Sequence, residues 1–147
     1  MFTRIVVGTD GSESAGEAVR QAVDLAKLAG AKLSIVSAYA PVPKRRVEGE
    51  QAAAPVDVQH GIGPREDVNL VLDAAAAAAK KEGLEVQTHP IEADPAEAIL
   101  NVADEVSADL IVVGNRGMRG ARRFLLGSVP NNVSHNASCS VIIIRTT

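Results

Sequence analysis

The stretch IVVGTDGSESAGEAV, residues 5–19, decides the fold of this chain. Its short β-branched run ends at Gly8 and is typical of a strand that is buried on both faces. After a turn, Ser14 and Glu17 have the spacing of a capping box, and small apolar residues then recur at helical spacing until Gly30. The stretch therefore predicts a strand, a turn and a helix in succession.

The same succession recurs along the rest of the chain. Further strands are predicted at residues 33–38, 86–91, 110–114 and 141–144, and further helices over residues 65–81, after Asp94 and after Ser128. Pro90 has no N–H to donate to a strand ladder, so the third strand is expected at an edge of the sheet.

Strands that alternate with helices predict parallel neighbours joined by right-handed crossovers. The expected fold class is α/β, with an open five-stranded parallel sheet in the order 3-2-1-4-5 and helices on both faces. In that order the chain reverses direction between strands 1 and 4. A ligand crevice should therefore open where the loops after Gly8 and Gly114 meet.

Length and composition fit one globular domain. The chain has 147 residues, 46% of them hydrophobic, and residues 1–147 are expected to form a single domain. The lone Cys139 cannot form an internal disulfide. The first residues lack the pattern of a secretory leader, and no apolar stretch approaches the roughly 20 residues that cross a bilayer. A cytoplasmic location is expected, with no membrane partner.

Charge and aromatic content argue against nucleic acid as a partner. The formal net charge is -3, which provides no global field to attract a polyanion. The only aromatic residues are Phe2, Tyr39 and Phe124, too few for the stacking platforms on which bases usually rest. Any recognition of phosphate must therefore be local.

A glycine-rich loop follows the fourth strand in the stretch LIVVGNRGMRGARRFLLGSV, residues 110–129. Glycines let backbone N–H groups crowd against an anion, and the N-terminus of the next helix adds oriented donors. Arg116 and three further arginines supply local positive charge that the net balance conceals. The Ser128 hydroxyl can either cap this helix or donate to a phosphate. The loop is predicted to cradle phosphate.

Each of these residues also has a purely structural interpretation, as turn, cap or solvated surface. Their occurrence together at the predicted switch point, opposite the turn at residues 9–12, favours a binding site. In that turn, Asp10 is suited to accept a ribose hydroxyl or to hold a hydrated Mg²⁺.

The spacing of Gly114, Gly117, Gly127 and Ser128 resembles the G-x2-G-x9-G-[ST] motif of the nucleotide-binding branch of the universal stress protein family, single-domain bacterial type. The resemblance extends to VGTDGS at residues 7–12 and to the order of elements over nearly the whole chain. It implies an adenine-nucleotide alpha-hydrolase-like fold and a stress-response protein that binds an adenine nucleotide, ATP or cyclic AMP. Any Mg²⁺ would be held through the nucleotide phosphates.

The resemblance also assigns roles to individual residues. Thr9 and Asp10 would lie near the ribose and phosphates, and Ala38 would line the adenine pocket. The phosphates and ribose would be held by Gly117, Gly127, Ser128 and Val129.

Several other chemistries lack their motifs. No Gly-Lys-Ser or Gly-Lys-Thr of a Walker A loop occurs, no G-x-S-x-G elbow is present, and the histidines lack metal-ligand spacing. No residue beyond Asp10 is an evident group to orient a hydrolytic water. A nucleotide-binding protein is favoured, while an ATP-hydrolysing or ATP-dependent transfer enzyme and a ligand-free interaction module remain alternatives.

The last strand predicts a partner. Val141, Ile142, Ile143 and Ile144 are apolar on both faces, yet this strand is expected at a sheet edge, where unpaired backbone groups invite association. Pairing with the same strand of a second chain about a two-fold axis would cover it. A homodimer through this strand is therefore expected, with shielding by a loop as the alternative.

Overall fold

A computed structural model describes residues 1–40, 64–115 and 127–146 of the chain. Most of the predicted loop between Ala40 and Pro64, and residues 116–126 of the glycine-rich loop, lie outside the described residues. In the described part, none of the helices is both long and apolar enough to cross a membrane.

Five strands and four helices alternate along the described chain. Their bounds are β1 Arg4–Gly8, α1 Glu13–Ala29, β2 Lys32–Tyr39, α2 Pro64–Lys81, β3 Val86–Glu92, α3 Pro95–Glu105, β4 Leu110–Gly114, α4 Ser128–Asn136 and β5 Ser140–Ile144. All strand pairs are parallel, and the order across the sheet is β3-β2-β1-β4-β5. The predicted fold class is confirmed, including the place of the Pro90 strand at an edge.

The start of α1 differs from the sequence prediction. Ser12, and not Ser14, caps the helix: its backbone is extended, and its Oγ accepts a hydrogen bond from the Ala15 N–H at 3.1 Å. The preceding Gly11 has a φ of +81°, so the turn is completed early enough for the helix to begin at Glu13. The Ser14–Glu17 capping box was therefore wrong by two residues.

The sheet separates two apolar layers, with two helices on each face. Alternate residues of β1 face opposite layers: Ile5 and Val7 pack in the layer of α1 and α2, and Val6 packs in the layer of α3 and α4. This explains why the central strands are continuous apolar runs rather than alternating ones.

Candidate functional site

A gap opens between the two central strands at their carboxyl ends. The ladder between β1 and β4 pairs Ile5–Val7 with residues 110–112 and stops there. Beyond it, Gly8 pairs with Val36 of β2, and Gly114 pairs with Ile144 of β5. Because each strand continues along its outer neighbour, the sheet divides at the switch point that its strand order predicts.

A cleft occupies this gap and encloses about 610 Å³ of space, part of it open to solvent. Its described lining residues are Gly8, Thr9, Asp10, Ala15, Val36, Ala38, Pro95, Ile99, Val113, Gly114, Val129 and Pro130. The structure therefore brings together six of the residues that the sequence predicted for the site: Gly8, Thr9, Asp10, Ala38, Gly114 and Val129.

The turn after β1 is held by hydrogen bonds within its own few residues. The Ser12 N–H donates to Oδ1 of Asp10 at 2.9 Å, and the Gly11 N–H donates to Oγ1 of Thr9 at 3.2 Å. The Thr9 N–H donates to the Val36 carbonyl at 2.9 Å, which fixes the turn to the end of β2. Asp10 is thus an organiser of the turn as well as a lining residue of the cleft.

Gly11 in this turn cannot be replaced without strain. Its φ of +81° is in the left-handed region, and a Cβ placed on it would lie 2.8 Å from Cγ2 of Val71 on α2. The turn is therefore held close to α2.

The exit of β4 and the start of α4 form the opposite wall. The Gly127 N–H donates to the Asn115 carbonyl at 3.0 Å, so the two ends of the glycine-rich loop are joined. Gly127 is the N-cap of α4, with an extended backbone, and Ser128 is the first residue of the helix. The Ser128 hydroxyl therefore does not cap α4. Its predicted donation to a phosphate stays a prediction. Arg116 and Gly117 lie outside the described residues.

The remaining lining of the cleft was missed by sequence reasoning. Its members are aliphatic: Ala15, Val36, Pro95, Ile99, Val113 and Pro130. Ala15 and Ile99 have the helical spacing of core residues, and that spacing alone cannot indicate that they face a cleft. The sequence held one signal of this wall, the glycine at the end of the first strand, because a glycine in a strand often marks a close approach of another group. In the structure, a Cβ at Gly8 would lie 2.5 Å from Cδ1 of Ile99.

The family model for the universal stress protein family matches residues 1–145 of the chain. The chain belongs to this family. Universal stress protein Rv1636 of Mycobacterium tuberculosis is 40% identical to it over 147 residues, which are 99% of this chain and 98% of the relative. Universal stress protein YxiE of Bacillus subtilis is 36% identical over 149 residues, covering 99% of this chain and all of the relative.

Two solved structures of universal stress proteins with nucleotides resemble this chain. One is a universal stress protein in complex with cyclic AMP, 36% identical, with a TM-score of 0.74 and coverage of 99% of both chains. The other is the universal stress protein of Archaeoglobus fulgidus in complex with dAMP, 26% identical, with a TM-score of 0.67 and coverage of 97% of both chains. These family members bind adenine nucleotides.

The described wall of this cleft is mostly uncharged. Asp10 is the one ionisable side chain among the described lining residues, and aliphatic side chains and backbone form most of the remaining wall. Within the described ranges, no three His, Cys, Asp or Glu side chains lie close enough to hold a metal ion by themselves. A divalent cation at this cleft would therefore need ligands from the bound molecule as well as from Asp10.

Proposed function

We propose that this universal stress protein is a regulatory protein of the stress response that binds an adenine nucleotide, ATP or cyclic AMP, in the cleft between the exits of β1 and β4. The observation that carries the proposal is the division of the sheet between Gly8 and Gly114, which opens a cleft at the switch point. The complexes of two related family members with cyclic AMP and dAMP support the choice of an adenine nucleotide.

The phosphates are assigned to the start of α4. Its first N–H groups have no partners within the helix, and the helix dipole adds partial positive charge at Gly127 and Ser128. Gly117 and Arg116 of the same motif are proposed to complete this part of the site.

The sugar and the base are assigned to the β1 and β2 side of the cleft. Thr9 and Asp10 are proposed to receive the ribose hydroxyls, and Mg²⁺ bound by the phosphates could take Asp10 as a further ligand. The adenine is proposed to pack against Val36, Ala38 and Ile99. In this cleft the base would contact aliphatic side chains and backbone rather than an aromatic ring.

Regulation by binding is favoured over an enzymatic function. Efficient hydrolysis needs a group that orients water opposite the leaving phosphate, and Asp10 is the one candidate among the described lining residues. Its Oδ1 already accepts a hydrogen bond from the Ser12 N–H, so it serves the turn.

Equilibrium titration of the full chain with ATP and with cyclic AMP, combined with product analysis, tests the proposal. Ser128→Ala should weaken binding several-fold, because the first residue of α4 loses its hydroxyl donor. Ser134→Ala is the matched control, since Ser134 lies on the same helix and its Oγ donates to the Asn131 carbonyl. The absence of binding at high micromolar nucleotide would refute the function. Turnover that Asp10→Ala abolishes would instead favour the enzyme.

We also propose a homodimer through β5, in the cytoplasm. Val141 and Ile143 pack on one layer of the core, Ile142 and Ile144 on the other, and all four remain partly exposed at the sheet edge. Ile143→Lys should reduce the mass measured by light scattering from that of two chains to that of one. A wild-type chain that is monomeric at micromolar concentration would contradict the dimer.

A further inference from the structure

Asn115 joins three segments of the molecule, although the binding motif does not specify this residue. Its N–H donates to the Ile144 carbonyl at the end of β5 at 2.9 Å, and its own carbonyl accepts the Gly127 N–H at 3.0 Å. Its side-chain Oδ1 accepts two further hydrogen bonds, from the N–H and the Oγ1 of Thr146, each at 2.9 Å. The exit of β4, the start of α4 and the segment after β5 therefore meet at one residue.

These bonds determine where the start of α4 lies. Residues 115 and 127 enclose the loop, and the hydrogen bond between their backbones closes its neck. The neck is in turn attached to β5 by the Asn115 N–H and to the following segment by the Asn115 side chain. Both bonds to Thr146 are partly buried, so loss of the acceptor would leave two donors without full access to water.

We infer that Asn115 and Thr146 are positioning residues for the phosphate end of the nucleotide site. This inference rests on the proposed function, because it assigns the start of α4 to the phosphates. Neither residue lines the cleft. They would act on nucleotide affinity by holding Gly127 and Ser128 in position. The segment after β5 therefore supports the site although it does not line the cleft.

Two substitutions weaken the contact between Asn115 and Thr146, one at the acceptor and one at the donor. Asn115→Ala deletes the shared acceptor, and Thr146→Val deletes one of its two donors while keeping the shape of the side chain. Each should weaken ATP binding, by about fivefold for Asn115→Ala and about threefold for Thr146→Val. Because both remove the same contact, the double variant should lose less than the product of the two losses. Thr146→Ser keeps the hydroxyl and should restore wild-type affinity.

Adenosine distinguishes positioning of the phosphate end from a general structural role. It lacks phosphates, so its affinity should remain within about twofold of wild type in every variant, whereas a general loss of structure would weaken ATP and adenosine equally. Asn101→Ala and Thr88→Val make the same changes at exposed positions on α3 and β3, and should leave both affinities unchanged.

Amide hydrogen exchange tests the positioning without any nucleotide. The Gly127 N–H should exchange about threefold faster in Asn115→Ala and Thr146→Val than in the wild type, because its acceptor residue is less firmly held. In Thr146→Val the altered residue makes no direct bond to Gly127, so faster exchange there can only pass through Asn115.

The outcomes separate the two proposals. A wild-type chain that binds neither ATP nor cyclic AMP refutes the proposed function, and the inferred role at the phosphates with it, while exchange at Gly127 still decides whether Asn115 holds the start of α4. Wild-type ATP affinity in both single variants, or an equal loss for ATP and adenosine, overturns the inference even if the proposed function holds. Exchange of Gly127 at the wild-type rate in both variants also overturns it.

Discussion

The pair of central strands, β1 and β4, is closed at its amino end and open at its carboxyl end. At the amino end, Oδ2 of Asp109 accepts from the N–H and the Oγ1 of Thr3 at 2.8 and 2.9 Å, and Oδ1 accepts from the Arg4 N–H at 3.1 Å. The Asp109 N–H donates back to the Arg4 carbonyl at 3.0 Å. At the carboxyl end the two strands separate beyond Val7 and form the cleft.

This difference separates an end of the strand pair that fixes the register of β1 against β4 from an end that leaves room for a ligand. The clamp at Asp109 sets the alignment of β1 against β4, so their exits are placed without direct bonds across the gap. Each exit is held from its outer side, by Val36 for β1 and by Ile144 for β4. A site supported in this way remains open to a ligand while its walls stay ordered.

Gly8→Ala should have the largest effect, because it fills the open end. The new Cβ would lie 2.5 Å from Cδ1 of Ile99, a buried side chain that must then move. We expect a loss of about 2 kcal/mol in the free energy of unfolding, measured by urea denaturation. Nucleotide affinity should fall by about tenfold or more, since Gly8 and Ile99 both line the cleft.

Gly16→Ala is the matched control for this change. A Cβ at Gly16 on α1 meets nothing within 4 Å, so the same substitution there should stabilise the chain by up to about 1 kcal/mol. Equal changes in the free energy of unfolding for Gly8→Ala and Gly16→Ala would contradict the close approach of Gly8 to Ile99.

Asp109→Ala breaks the closed end and should leave the open end functional. The variant loses an acceptor for three hydrogen bonds at an accessible site, and we expect a loss of about 1–2 kcal/mol in the free energy of unfolding. Affinity for nucleotide should remain within about twofold of wild type under conditions in which the chain is folded. Asp73→Ala, at an exposed position on α2, is the control and should change neither quantity. A loss of binding free energy larger than the loss in the free energy of unfolding would show that the closed end of the strand pair also determines the open end.

Ser12→Ala tests the turn at the open end on a smaller scale. Loss of the cap on the Ala15 N–H should lower the free energy of unfolding by about 1 kcal/mol. Ser14→Ala should change it little, because Ser14 lies within the first turn of α1 and does not cap it. Thermal denaturation of the two variants compares the observed cap with the one that the capping-box spacing predicts. Greater destabilisation by Ser14→Ala than by Ser12→Ala would favour Ser14 as the cap.

Sequence patterns predicted most of the open end of the strand pair and none of the hydrogen bonds that hold its closed end. Strand order, the place of the cleft and four of its lining residues, Gly8, Thr9, Asp10 and Gly114, followed from apolar runs, glycines and turn residues, which are local signals. Ala38 and Val129 were predicted from the family resemblance instead. The Asp109 clamp joins residues more than 100 positions apart, and Asn115 meets Thr146 across 31 positions. No local pattern encodes such pairs, because they depend on which strands become neighbours. The aliphatic wall was missed for a related reason, since a buried side chain and a cleft-facing one have the same periodicity.

The pH dependence of stability should show two weak transitions, of which only the more acidic belongs to the clamp. Burial alone would raise the pKa of Asp109, but hydrogen bonds from Thr3 and Arg4 outweigh it and hold that pKa below its ordinary value. The unfolded chain then binds the proton first, so the clamp's contribution is present above about pH 4 and is lost as the pH falls further. Asp109→Ala should remove this transition.

The other transition belongs to His89 on the edge strand β3. Partial burial lowers the pKa of His89, opposed by the nearby Glu105, and its Nε2 is buried without a hydrogen-bond partner in the described part of the chain. The fold therefore favours the neutral imidazole, and stability should decline as the pH falls below about 6.5, where the unfolded chain takes up the proton.

Urea midpoints at pH 7.5 and 5.5 should differ less in His89→Gln than in the wild type, while His135→Gln, an exposed site on α4, should retain the wild-type difference. Nucleotide affinity should not follow this transition, because His89 does not line the cleft. An affinity that falls in step with stability between these two pH values would mean that the edge of the sheet and its open centre are coupled.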